Sequence, residues 1–265
     1  MKCCSMSCSN DRTAIFVVSI GSSRMQSVAA AVGAIAHAAA QQFPDYELRR
    51  VFLHHSKAVQ TDPLLEALEQ AAADGIRTLV VQPAFLMRGY EYQKLEDRLG
   101  QYCKEFRQIV LGEPLLAGEA DFEAVRNAIT EQTADYGDGR TSVCFVGHGG
   151  EAAVSSIYKK MQQVLAAAGY KDYYIGTIKG EPSLENVKEA LRADGSYKTV
   201  ILRPFMTAAG SHAYRDLAGE QDGSWKRVLE QEGYEVICVM KGLAQIPAVQ
   251  EIFGAHIRAA AGQLK

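Results

Sequence analysis

Thr13-Ala-Ile-Phe-Val-Val-Ser-Ile-Gly21 is answered, much later in the chain, by Thr141-Ser-Val-Cys-Phe-Val-Gly-His148. Each is an unbroken apolar run ending at glycine, the pattern of a parallel strand buried on both faces. The echo continues outward from there. Thr78-Leu-Val-Val-Gln-Pro83 is matched by Thr199-Val-Ile-Leu-Arg-Pro204, and a glycine follows each proline at the same distance, Gly89 and Gly210. Short apolar strands, Ile109-Val-Leu-Gly112 and Val236-Ile-Cys-Val239, close each half. The chain is therefore expected to be an internal duplication: two similar α/β domains, each a parallel sheet flanked by helices, with a cleft between them. Expected bounds are 1–10 for a flexible tail, 11–137 for the N-terminal domain and 138–265 for the C-terminal domain, with the turn-rich Tyr136-Gly-Asp-Gly-Arg140 as linker.

Helices are expected over Gln26–Gln42, Pro63–Ala73, Tyr90–Tyr102, Phe122–Thr133, Val154–Ala168, Ser183–Ala193, His212–Leu217 and Pro247–Ala261, between strands in strict alternation. Thr61 or Asp62 is the expected N-cap of the Pro63 helix. Strands Ser142–Val146 and Tyr173–Thr177 open the second half. Alternating strands and helices imply right-handed parallel crossovers, and ligands of such sheets sit beyond the carboxyl ends of the strands.

The 265 residues suffice for two domains with their own cores. Apolar content of 48% and charged content of 22% are those of a soluble globular chain. A net charge of −3 without a basic stripe speaks against nucleic acid, and no apolar run is long enough for a membrane span. Cytoplasm is the expected compartment, and self-association into a homo-oligomer is left open. Cys3, Cys4 and Cys8 crowd the start without finger spacing and are expected to belong to the tail; Cys103, Cys144 and Cys238 read as buried thiols.

The halves differ where chemistry would sit. Ser22 of the first corresponds to His148 of the second, and Glu91 to His212. Two neutral imidazoles at equivalent strand ends should face one cleft, and together they suit a borderline divalent metal. His54 and His55, adjacent on a strand, point to opposite faces, so at most one serves the cleft. His37, His256 and Trp225 read as structural. Gly21-Ser-Ser23 has neither the glycine spacing of a dinucleotide site nor the lysine of a P-loop, so no nucleotide is expected.

Val18-Ser-Ile-Gly-Ser-Ser23, Gly89-Tyr-Glu-Tyr92, Val146-Gly-His-Gly149, Ala209-Gly-Ser-His-Ala213, Asp222-Gly-Ser-Trp-Lys226 and Gly242-Leu-Ala-Gln-Ile-Pro247 occur in an order and spacing that resembles the anaerobic sirohydrochlorin cobaltochelatases, relatives of ferrochelatase. The resemblance implies the chelatase-like fold and ATP-independent insertion of Co2+, as substrate, into a tetrapyrrole on the route to cobalamin. It implies that His148 and His212 are catalytic and bind the metal, with His148 also taking protons from the pyrrole nitrogens. Ser19, Ser22 and Tyr92 are then expected beside the macrocycle. The family's third ligand, a glutamate, is replaced by Lys179, so Glu181, two residues on, is the expected metal carboxylate, with Glu151 as a further donor. Phe85 stands where relatives often carry a histidine, and the connection from Leu53 to Pro63 is shorter than usual. The alternatives are a chelatase for Ni2+ or Fe2+, a non-catalytic tetrapyrrole or metal carrier, or an unrelated two-lobed enzyme.

Overall fold

The computed structural model describes residues 12–53, 62–102 and 104–265. The cysteine-rich start, His54, His55, Thr61 and Cys103 lie outside the described residues. The first half runs β1 (Arg12–Ser19), α1 (Met25–Gln42), β2 (Glu47–Phe52), α2 (Pro63–Ala73), β3 (Ile76–Pro83), α3 (Tyr90–Gln101), β4 (Gln108–Leu111) and α4 (Glu119–Gln132). The second runs β5 (Thr141–Gly149), α5 (Ala152–Ala167), β6 (Tyr173–Lys179), α6 (Leu184–Asp194), β7 (Thr199–Pro204), a π-helical turn (Ala213–Leu217), α7 (Trp225–Gln231), β8 (Glu235–Cys238) and α8 (Pro247–Ala261). The sheets have the same all-parallel plan, β2-β1-β3-β4 and β6-β5-β7-β8. The echoed runs are the central pair in each: β1 beside β3, β5 beside β7.

Both faces of the central strands are covered, as their unbroken apolar runs require. Ala14, Phe16 and Val18 of β1 pack outward on Leu64, Leu68 and Leu95. Ile15 and Val17 face the other way, into a core that continues through Phe145, Ile201 and Phe205 of the second sheet to Phe253 and Ile257 of α8. That core crosses between the halves. The closing helix α8 packs on α1, α4 and β3 of the first half rather than staying with its own sheet. Asp62 caps α2, accepting hydrogen bonds from the backbone N–H of Leu64 and Leu65 at 3.1 and 3.3 Å. Such a cap is worth about 1 kcal/mol.

Three local expectations are corrected. β5 runs on to Gly149 and β6 to Lys179, each sustained by the other through the pairing Gly149↔Lys179, so His148 lies within the strand rather than after it. A seven-residue helix, α7, fills a stretch in which no element is expected. It is capped by Ser224, whose Oγ accepts from the Arg227 N–H, and it buries Trp225 as a core anchor. The third correction is Glu181, taken up with the site.

Cys144 has no exposed surface, and burial pushes its thiol up to about 12. It is therefore protonated at neutral pH and unreactive, since the thiolate is the nucleophile. In native protein treated with iodoacetamide, mass spectrometry is expected to find Cys144 unlabelled until the chain unfolds. Labelling at the rate of an exposed thiol contradicts this burial.

Candidate functional site

In each sheet the strand order reverses between the central pair, β1/β3 and β5/β7, and the loops leaving these four strands meet. The place is a topological switch point, doubled by the duplication. They enclose a cavity of about 700 Å³, within the range that takes large organic ligands. Its walls are mostly apolar, with Phe85, Leu86, Met87, Phe205 and Met206 contributing. No Lys or Arg lines it among the described residues; the acidic and imidazole groups are Glu91, His148 and His212. Among the described residues, the wall offers a divalent cation no positive charge from Lys or Arg.

The two imidazoles are in contact, ring centroids 4.7 Å apart and planes at 82°. His148 is aimed by β5. Gly147 before it admits the ring of Tyr158 so closely that a Cβ there would lie 2.0 Å from Cε1, and Tyr158 accepts a hydrogen bond from the Gly149 N–H at 3.4 Å. Burial raises the Tyr158 pKa, so this hydroxyl stays neutral. His212 starts the π-helical turn after β7. The Nδ1 of His148 lies 3.2 Å from the Gly149 carbonyl oxygen, and the Nδ1 of His212 lies 2.9 Å from Asp216 Oδ2. Hydrogen bonding from Arg215 holds the Asp216 carboxyl below the usual carboxylate range, and the bond to His212 adds to this. Each ring keeps Nε2 without a hydrogen-bond partner among the described residues.

Ser19, Ser22 and Tyr92 all line the same cavity. Ser22 ties the lobes together: its Oγ is 3.0 Å from Ser211 Oγ and accepts the Ser211 N–H at 3.2 Å. The Tyr92 hydroxyl donates to the Gly112 carbonyl at 3.4 Å, and burial raises its pKa.

Glu181 is not brought to the histidines. β6 ends at Lys179, and Gly180 turns the chain at φ +84°. The exposed Glu181 carboxylate accepts the Ser183 N–H at 3.2 Å, at the start of α6. Neither Glu181, Lys179 nor Glu151 lines the cavity, and among the described residues no three His, Cys, Asp or Glu side chains gather as a metal site. The carboxylate that does face the cleft is Glu91, in the first turn of α3, where the helix N-terminus favours negative charge. Its signal in the sequence is its equivalence to His212 in the duplication.

The two facing imidazoles lie in an apolar cleft between twin parallel sheets, the plan of a two-lobed α/β enzyme. The family model for cobalt chelatase (CbiK) matches residues 13–262. The chain belongs to that family. It is 27% identical over 257 residues to the sirohydrochlorin cobaltochelatase of Salmonella typhimurium, covering 94% of this chain and 96% of that one. It is 29% identical over 207 residues to sirohydrochlorin cobaltochelatase CbiKC of Nitratidesulfovibrio vulgaris, covering 77% and 73%. The fold is shared with SirB from Bacillus subtilis solved with Fe3+, at a TM-score of 0.67 and 17% identity over 95% of this chain and 98% of the other. Among the described residues no helix is long and apolar enough to cross a membrane.

Proposed function

We propose that the chain inserts Co2+ into sirohydrochlorin, with His148 as metal donor and base and His212 as the second metal donor. The observation that carries this is the contact of the two rings, 4.7 Å apart in the cavity shared by both lobes. Insertion exchanges two pyrrole N–H protons for one divalent cation. It therefore needs a metal donor and a proton acceptor near the ring centre. An imidazole serves both ends of that exchange near neutral pH. The apolar walls suit the macrocycle's faces. Ser19, Ser22 and Tyr92 are among the polar residues of the wall and would lie beside the macrocycle. A cytoplasmic setting fits the free thiols of Cys144 and Cys238.

With Lys179 outside the cavity and Glu181 turned away, Glu91 supplies the carboxylate. We assign it to receiving a pyrrole proton or steadying the cation as it moves between imidazoles and macrocycle. Glu91→Gln is expected to slow insertion about 10²-fold, the low end for a positioned acid or base, with the KM for the macrocycle unchanged in steady-state assays.

The test of the function is anaerobic absorbance of protein with sirohydrochlorin and Co2+, beside arms with Ni2+ and Fe2+. Imidazole donors do not choose sharply among these metals, so the arms rank them. Metallation faster than the protein-free control supports the proposal. A binding shift with no rate above control leaves a tetrapyrrole carrier instead.

A further inference from the structure

Asp216 is 18% exposed at its side chain and is absent from the walls of the main cleft. It lines a separate cavity of about 390 Å³ with Thr177, Ile178 and Trp225. It touches the cleft through the imidazole of His212, 2.9 Å from Oδ2. We propose that Asp216 is a positioning residue that fixes His212 in the Nδ1–H tautomer and so keeps Nε2 bare as the metal donor. This rests on His212 being a donor to the substrate metal.

The argument is one of hydrogen-bond bookkeeping. An ionised carboxylate only accepts, so the ring nitrogen facing it carries the proton. A competitor is present. Arg215 Nη2 lies 3.1 Å from the same Nδ1, and a guanidinium only donates. A bond from Arg215 requires a bare Nδ1, which moves the proton to Nε2 and removes the lone pair a metal needs. Asp216 acts against this twice. It takes the Nδ1–H, and it holds Arg215 in a two-pronged grip, Nε to Oδ1 at 2.6 Å and Nη2 to Oδ2 at 2.9 Å. Such forked bonds between charged groups are the strong ones. His148 reaches the same tautomer through a backbone carbonyl, Gly149 O at 3.2 Å. The second imidazole alone depends on a side chain. Carboxylate partners of metal-binding histidines set tautomer and orientation in this way, and replacing such an aspartate by asparagine can select the wrong tautomer.

The test begins with metal-free, 15N-labelled protein and long-range 1H–15N correlation of the imidazoles. Wild type is expected to show His212 protonated at Nδ1, and Asp216→Asn to shift it toward Nε2–H. The same substitution is expected to weaken Co2+ binding about 10–100-fold, raising the KM for Co2+ and leaving that for the macrocycle unchanged. Asp216→Glu should keep wild-type tautomer and affinity. Adding Arg215→Ala to Asp216→Asn should recover part of the loss, which a purely structural role for Asp216 does not predict. If Asp216→Asn fails to fold, the wild-type spectrum and Asp216→Glu still decide. An Nε2–H tautomer in wild type, or unchanged tautomer and affinity in Asp216→Asn, overturns the proposal. Wild-type Co2+ affinity in His212→Ala, with the tautomer still following Asp216, shows instead that His212 is not a donor; that overturns the metal half and the function assigned to this ring.

Discussion

Replacing His148 by alanine is expected to slow Co2+ insertion by about 10²–10⁴-fold, the span of a positioned acid or base. The ring is asked to do two things, hold the cation and accept a pyrrole proton, and alanine does neither. The fold should survive. Among the described residues the ring's hydrogen bond is to the Gly149 carbonyl, and the ring lines the cavity. His212→Ala should slow turnover comparably through loss of the second donor. On the proposal that the rings act on one cation, the double variant should cost little more than the worse single one, as groups working as a unit are not additive. Thermal melts of all three beside wild type separate chemistry from folding. A His148→Ala enzyme at wild-type rate, or a double variant whose loss is the product of the singles, contradicts a shared metal.

Gly149→Ala is expected to carry the largest stability loss, at least about 3 kcal/mol. Two causes coincide there. The residue has φ +74°, a region alanine occupies at a cost, and a Cβ would stand 1.7 Å from the Lys179 carbonyl oxygen and 2.7 Å from Thr177 Cβ. The obstructing oxygen is backbone and already accepts the Gly150 N–H at 3.0 Å. Relief therefore means parting β5 from β6 beside His148. Gly139→Ala is the control: φ is +73°, and nothing lies within 4 Å of the added carbon. It should lose only about 1 kcal/mol, for strain alone. In thermal unfolding the Gly149 variant should melt on the order of 6–12 °C lower than wild type. Equal losses at the two glycines contradict the close approach of β6.

The plan of the fold was legible because a duplicated chain states its central strands twice. The pairs at Thr13/Thr141 and Thr78/Thr199 became the paired centres of two identically ordered sheets. The meeting of His148 and His212 followed, since equivalent strand ends of twin lobes share a cleft. What was not legible is long-range or too short to have a period. Seven residues, two of them basic and one acidic, gave α7 no helical signature until Trp225 found its pocket. The tail of β5, Gly147-His148-Gly149, has weak strand propensity alone, and it is sustained by pairing with Thr177 and Lys179 of β6. Nothing local tells that α8 crosses to the first sheet. The place of Glu181 is not legible because it turns on one dihedral, Gly180 at φ +84°, after which the carboxylate meets the start of α6. The sequence signal for Glu91 is its correspondence to His212 in the duplication.

The most direct test of the account is a crystal structure of the protein soaked anaerobically with Co2+. The expected result is one cobalt bound by Nε2 of both His148 and His212, facing the cavity, with Glu181 remaining on the Ser183 N–H. Cobalt held elsewhere, at Glu181 or Glu151, with the two imidazoles left bare, would contradict it.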